Sequence, residues 1–419
     1  MMAQDFEQTV EQGRRLSPPQ PATADLSQPV TLGRGRWFWL LYAICCFLFV
    51  EASLQLYYRV TTGDLLYHRD KPPLWATDPY SGWTNRPYLT YRHVTPEFAV
   101  DLHTNSGGFR VSSQHEEYPI KKPDGTFRIL LLGPSFAFGW GVDYEDTFGA
   151  QLERVMDEMR FAPGQTIEVL NHGVPALPAA NQLEWFRKVG KHYSPDLVIH
   201  FVYGSLETSS HPDRSLTVTN GQLLPSGASP VEFMWGYAKN SATIFYTGIL
   251  VGQIGKAAGL SGQGRRIEGA GRALHTALPF DVQSAAVKES TTFYRAFRAA
   301  AHESNAKFLV VHFPLAYVVH PEDRARWALH GVENIEVQET YNHAFADHLN
   351  RQAIPCLNLT QDLMEEAKRN AQRLYYWLDV HWTPWGNRRS AELVGQYVGH
   401  RYQGWGAGIN ESRASAREQ

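Results

Sequence analysis

The sequence predicts an α/β protein of three layers, with a parallel five-stranded sheet between two layers of helices. Three observations lead there. Five short runs, at 127–132, 167–171, 197–202, 308–313 and 354–359, are apolar almost throughout, as strands covered on both faces must be. Stretches with helical periodicity fall between and after them, at 147–159, 179–192, 285–304, 337–350 and 386–400. The resulting order, βαβαβ followed after a break by αβαβα, places the strands parallel and the helices on both faces.

The flanking segments read differently. Residues 1–36 are polar, hold Pro18, Pro19, Pro21 and Pro29, and lack apolar periodicity, so a disordered cytoplasmic tail is expected. Trp37 to Val50 is wholly apolar, and Glu51 interrupts the run before it continues to Tyr58. The extended stretch reaches the roughly 20 residues that a spanning helix needs, with aromatics at both ends. Residues 37–58 are therefore expected to anchor the chain once in the cell inner membrane, with the larger part extracytoplasmic (periplasmic). Two alternatives stay open at this point: a signal peptide cleaved near Val50-Glu51-Ala52, and a helix buried in a core.

Residues 59–125 are rich in Pro, Tyr and Thr, with alternating pieces at 88–92 and 98–102 and a turn signal at Asn105-Ser106-Gly107-Gly108. A small β-rich extension is expected there. The α/β domain then runs over 126–402. An insertion at 205–280 breaks its rhythm and contains the apolar stretch 242–250, with Phe245 and Tyr246. A helix covering the site is the reading preferred to a second membrane span. Residues 259–271 read as a flexible connector, and 403–419 as a disordered tail.

Composition excludes several classes. A net charge of −3 and the absence of a basic stripe with interleaved aromatics argue against nucleic acid as a partner. Three cysteines, two of them adjacent at Cys45 and Cys46, make neither a disulfide framework nor a zinc pattern. His211, His320 and His330 show no metal-ligand spacing with a carboxylate. His200 and His312 lie on apolar strands and are expected as hydrogen-bonded core residues. Glu207 is expected as a solvated loop carboxylate. The 12 tryptophans are mostly packing material, although an exposed ring can stack on a sugar.

The chemistry concentrates at two distant points. The first strand ends in Gly133-Pro134-Ser135, which presents a hydroxyl at the carboxyl end of a sheet, where open α/β folds place ligands. Asp379-Val380-His381 lies just before the last helix. Taken singly, Ser135 reads as a turn residue and Asp-x-His as a surface polar pair. Taken together they are the components of an activated nucleophile, because a serine hydroxyl needs an adjacent base.

These segments resemble the blocks of the SGNH/GDSL hydrolase superfamily. The first block is Arg128–Gly139 with Trp140–Phe148, the second is Asn171-His172-Gly173-Val174-Pro175, and the last is Asp379-Val380-His381-Trp382-Thr383-Pro384-Trp385-Gly386. Thr104–Arg110 is similar to the lead-in of membrane-tethered members, and the short Asp-x-His form resembles tethered, O-acetylation-type members. The resemblance implies acyl transfer without metal or cofactor. It makes Ser135 the nucleophile, His381 the general base and Asp379 its orienter. The Ser135 and Gly173 N–H groups would form the oxyanion hole. Two positions depart from the family pattern. Pro134 stands where the family has aspartate, and Ser205 stands near the place of an asparagine that donates to the oxyanion, where its hydroxyl would be the third oxyanion-hole donor. Two functions follow. One is a membrane-anchored esterase or O-acyltransferase acting on ester groups of a carbohydrate. The other is a degenerate domain that holds a glycan or a membrane acyltransferase partner without turnover.

Overall fold

The computed structural model describes residues 34–62, 72–95, 97–203, 212–227, 241–257, 279–324 and 335–402. The tail 1–33, Ser205, Glu207, His211, the connector 259–271, His330 and the tail 403–419 lie outside the described residues. The chain divides into two compact units, Met1–Ser53 and Leu54–Gln419.

The central sheet contains β5 (Thr126–Gly133), β6 (Thr166–Gly173), β7 (Leu197–Tyr203), β10 (Lys307–Phe313) and β11 (Cys356–Asn358). Their spatial order is β11-β10-β7-β5-β6, all pairs parallel. In order of appearance along the chain that is 5-4-3-1-2, a doubly wound sheet with its switch point between the first and third strands. The sheet is buried on both faces, which is why its strands read as unbroken apolar runs.

One face carries α3 (Phe148–Glu158), α9 (Thr360–Arg369) and α10 (Pro384–Arg401). There Phe127, Ile129 and Leu131 of β5 pack with Leu152, Met156, Leu363 and Val394. The opposite face carries α4 (Ala179–Lys188), α6 (Ala285–Glu303) and α8 (Ile335–Arg351). There Leu130 and Leu132 meet Phe186, Phe297 and Phe345. Alternate residues of one strand thus feed two cores, as the pleat requires.

The extension forms two antiparallel hairpins, β1 (Trp75–Asp78) with β2 (Gly82–Asn85) and β3 (Thr90–Val94) with β4 (Ala99–His103). A third hairpin, β8 (Leu216–Thr219) with β9 (Gln222–Pro225), falls in the segment read from sequence only as an insertion. Its Leu216, Val218 and Leu223 join Trp75 and Trp83 of the first hairpin in one cluster. In the same segment, α5 (Ala242–Ala257) covers the apolar stretch. Its described ring contacts are with Tyr57 and Tyr58, through Tyr246 and Phe245 at 5.7 and 6.1 Å. The expectation that this helix lies over the site is not supported by the contacts it makes.

α1 (Arg34–Thr62) is one continuous helix, longer at both ends than the stretch read from sequence. Among the described residues it alone is long and apolar enough to cross a membrane, over Trp37–Val60, where the most apolar 18-residue window has a mean hydropathy of 1.9. None of that 18-residue window is buried in the protein, unlike a core helix.

Candidate functional site

Ser135 opens the one-turn helix α2 (Ser135–Phe138), directly after β5. The turn is tight because Pro134 O accepts from both Ala137 N (3.0 Å) and Phe138 N (3.2 Å). It closes at Gly139, whose φ of +81° is a left-handed position that suits glycine. Gly133 is needed for a different reason: a Cβ there would stand 2.6 Å from Phe201 Cβ. Pro134 fits the turn at φ −78°, since its missing N–H belongs to a position outside the helical hydrogen bonds. Among the described residues the Ser135 N–H has no acceptor.

His381 reaches the serine from the other end of the chain. Its Nε2 lies 2.6 Å from Ser135 Oγ, and its Nδ1 is hydrogen-bonded to Asp379 Oδ1. Asp379 Oδ1 also accepts from the His381 backbone N–H at 2.9 Å, so the two-residue spacing folds into its own small ring. The imidazole is walled by Phe136 (ring centroids 4.7 Å apart) and Trp140 (5.9 Å), and the His381 side chain is 12% exposed. Burial alone would raise the Asp379 carboxyl. The His381 ring beside it and the hydrogen bonds it accepts hold it below the usual carboxylate range.

The loop carrying Asp379 and His381 is a hairpin. Tyr376 N donates to His381 O at 3.0 Å, and Tyr375 bridges Trp382. Tyr375 Oη is tied to Pro314 O, Tyr376 Oη to Gly141 O (2.8 Å), and Trp382 is sunk in the core. Thr383 then caps α10 by accepting from Gly386 N. Three backbone N–H groups at the hairpin tip are taken by Glu97, which lies between β3 and β4. Nothing in the sequence marked Glu97, because a lone glutamate in a polar turn carries no pattern; it is found only when the tertiary fold pairs the two loops.

Gly173 occupies the end of β6, in register with Gly133. A Cβ on it would meet Phe138 N at 2.1 Å and Ala137 C at 2.5 Å, so glycine is what lets β6 touch the serine turn. Its N–H, expected as an oxyanion donor, instead donates to Asn171 Oδ1 at 2.9 Å. The Asn171 side chain reaches two residues forward along its own strand and takes that donor, so Gly173 serves close packing in this arrangement. Asn85 of the extension holds the carbonyl of the same residue, Nδ2 to Gly173 O at 2.8 Å.

His200 is fully buried against Phe293, Tyr294 and Phe297, and its surroundings push its pKa down to about 3. Its ring nitrogens have no hydrogen-bond partner among the described residues, contrary to the expectation from sequence.

A doubly wound parallel sheet, with a serine, a histidine and an aspartate joined at its carboxyl edge, defines an α/β protein of serine-hydrolase layout. Residues 274–418 match the family model described as the SGNH hydrolase-like domain, acetyltransferase AlgX. Among solved structures it is similar to a lipase/acylhydrolase from Enterococcus faecalis (12% identity, 65% of this chain and 96% of that one, TM-score 0.33). It is also similar to a two-domain esterase active on acetylated mannans (10% identity, 65% and 49%, TM-score 0.35). A third is an acetylxylan esterase from Geobacillus stearothermophilus (11% identity, 65% and 94%, TM-score 0.35). No curated protein sequence matches the chain.

Proposed function

We propose that this chain is a membrane-anchored serine esterase or O-acyltransferase, with Ser135 as nucleophile, His381 as general base and acid, and Asp379 as orienter. The observation that supports it most is the 2.6 Å approach of His381 Nε2 to Ser135 Oγ across 246 positions of sequence. In this reading Ser135 Oγ attacks the acyl carbonyl while Nε2 takes its proton. Asp379 on Nδ1 fixes the tautomer and stabilises the imidazolium. The developing oxyanion meets the Ser135 N–H. Collapse expels the alcohol, which takes the proton from His381, and leaves an acyl-serine. Water or an acceptor hydroxyl, deprotonated by His381, then attacks that ester and frees the serine.

The acyl group proposed is acetyl and its carrier a glycan, because the matching family model is described by an acetyltransferase. The apolar helix Trp37–Val60 supports an anchor in the inner membrane with the α/β domain on the periplasmic side. A membrane acyltransferase is a partner compatible with that placement.

A second reading is favoured by one observation. The Gly173 N–H is already committed to Asn171, which leaves the oxyanion one donor short. A domain that binds acetylated glycan without turning it over would tolerate that. The full chain in detergent, given p-nitrophenyl acetate, separates the two: turnover that disappears in Ser135→Ala supports the enzyme, and none in either supports the binding module.

A further inference from the structure

The hairpin that carries Asp379 leaves three consecutive backbone N–H groups at its tip without partners in its own ladder. All three converge on one side chain. Trp377 N donates to Glu97 Oε1 at 2.6 Å, and Leu378 N and Asp379 N both donate to Glu97 Oε2 at 2.8 Å. Successive N–H groups turned toward one point form a concavity suited to an anion. A carboxylate fills it with charge-assisted bonds, which are the stronger class.

Glu97 is itself fixed. It belongs to the turn of the β3–β4 hairpin, where Thr95 Oγ1 accepts from Glu97 N (3.3 Å) and Phe98 N (3.2 Å). The hairpin is seated by Phe98, whose ring lies 5.2 Å from that of Tyr376, and by Leu102, which packs with Phe138 of the serine turn. Asp143 Oδ1 accepts from Asp101 N at 2.8 Å and ties β4 to the loop beyond α2. The carboxylate therefore connects a rigid part of the extension to the residue that orients His381.

We infer that Glu97 is a positioning residue: it fixes the backbone of Trp377, Leu378 and Asp379 so that the Asp379 carboxylate stays on His381 Nδ1. This rests on reading Ser135, His381 and Asp379 as the reacting set. It does not touch the ester; it acts through Asp379. It also gives the β-rich extension a function, since without it the hairpin tip that carries Asp379 loses the three hydrogen bonds that Glu97 accepts.

The test uses the full chain in detergent, as wild type, Glu97→Gln and Glu97→Ala, with near-UV circular dichroism confirming the native fold. The first readout is the far-downfield proton resonance of the His381 Nδ1–H held by Asp379, assigned by its loss in His381→Gln. It should be sharp in wild type, broadened in Glu97→Gln, which keeps one acceptor, and absent in Glu97→Ala. The second readout is p-nitrophenyl acetate turnover. In Glu97→Ala kcat should fall about 100-fold, the scale of a 1 Å misplacement, with KM changed less than about threefold. A resonance that persists unchanged in Glu97→Ala, or in Glu97→Gln if the alanine variant fails to fold, overturns the inference. So does a wild type without the resonance, because no ordered pair is then held. A wild type that shows the resonance and its loss in Glu97→Ala, yet hydrolyses no ester, leaves the positioning in place and removes the acyl chemistry.

Discussion

Asp379 feels two opposed effects, burial that favours its neutral form and a histidine that favours its charged form, and the second prevails. Its folded pKa is therefore below its unfolded one. The stability it contributes is present above the ordinary carboxylate value and is lost as pH falls through the depressed value. The same charge is needed to hold the imidazole, so Asp379→Asn should lower kcat by about 10⁴-fold, as a wrong tautomer does elsewhere, measured on an acetyl ester at neutral pH. His172 and His200 behave in the opposite chemical sense. Both are buried and held uncharged, with pKa values pushed down to about 3. The unfolded chain takes up their protons first, from about pH 6.5, so stability falls between there and pH 3. His200→Leu removes one such proton uptake. Thermal melts at pH 7, 6, 5 and 4 should show a shallower loss of Tm for the variant than for wild type.

Elements meet at the site by close approach, and glycine decides how close. With an added Cβ only 2.1 Å from Phe138 N, Gly173→Ala must push β6 away from the serine turn. A cost of about 2 kcal/mol or more follows from overpacking of this kind, to be read from chemical unfolding, together with loss of any esterase activity. Thr383 is the other terminus of consequence. It accepts from Gly386 N at 3.2 Å and donates to Arg373 O at 2.7 Å, so Thr383→Ala should cost about 1 kcal/mol as a lost N-cap. The parallel strands and their crossover helices were legible because both-face burial writes an apolar run and amphipathic packing writes a 3.6-residue period. The β8–β9 hairpin is written in the sequence as well. Asn220 and Gly221, at φ +50° and +76°, form the Asn-Gly turn that alternating Leu216, Val218 and Leu223 should have flagged. Ser135, Asp379 and His381, which the structure brings together, stand out in the sequence because the serine turn and the Asp-x-His segment each have a fixed local form. The Gly173 N–H bond to Asn171 is not legible in the sequence, because it depends on a side-chain rotamer that no sequence pattern specifies. Glu97 was beyond sequence altogether, since its partners lie about 280 positions away.

At the scale of the molecule, the extension braces both halves of the site. Asn85 holds the Gly173 loop, Glu97 holds the Asp379 loop, and Leu102 and Phe98 pack on the turn between them. The helix Trp37–Val60 is apolar and long enough for a bilayer, so the full chain should stay in the membrane pellet after alkaline carbonate extraction and leave it only with detergent. The central claim is that Ser135 is an activated nucleophile because His381 stands against it. The most direct measurement is reaction of the full chain with a fluorophosphonate, followed by mass mapping of the labelled peptide. The account predicts one phosphonyl group on Ser135 and its loss in His381→Ala. A chain that takes no label, or takes it on another residue while Ser135 stays unmodified, would contradict it.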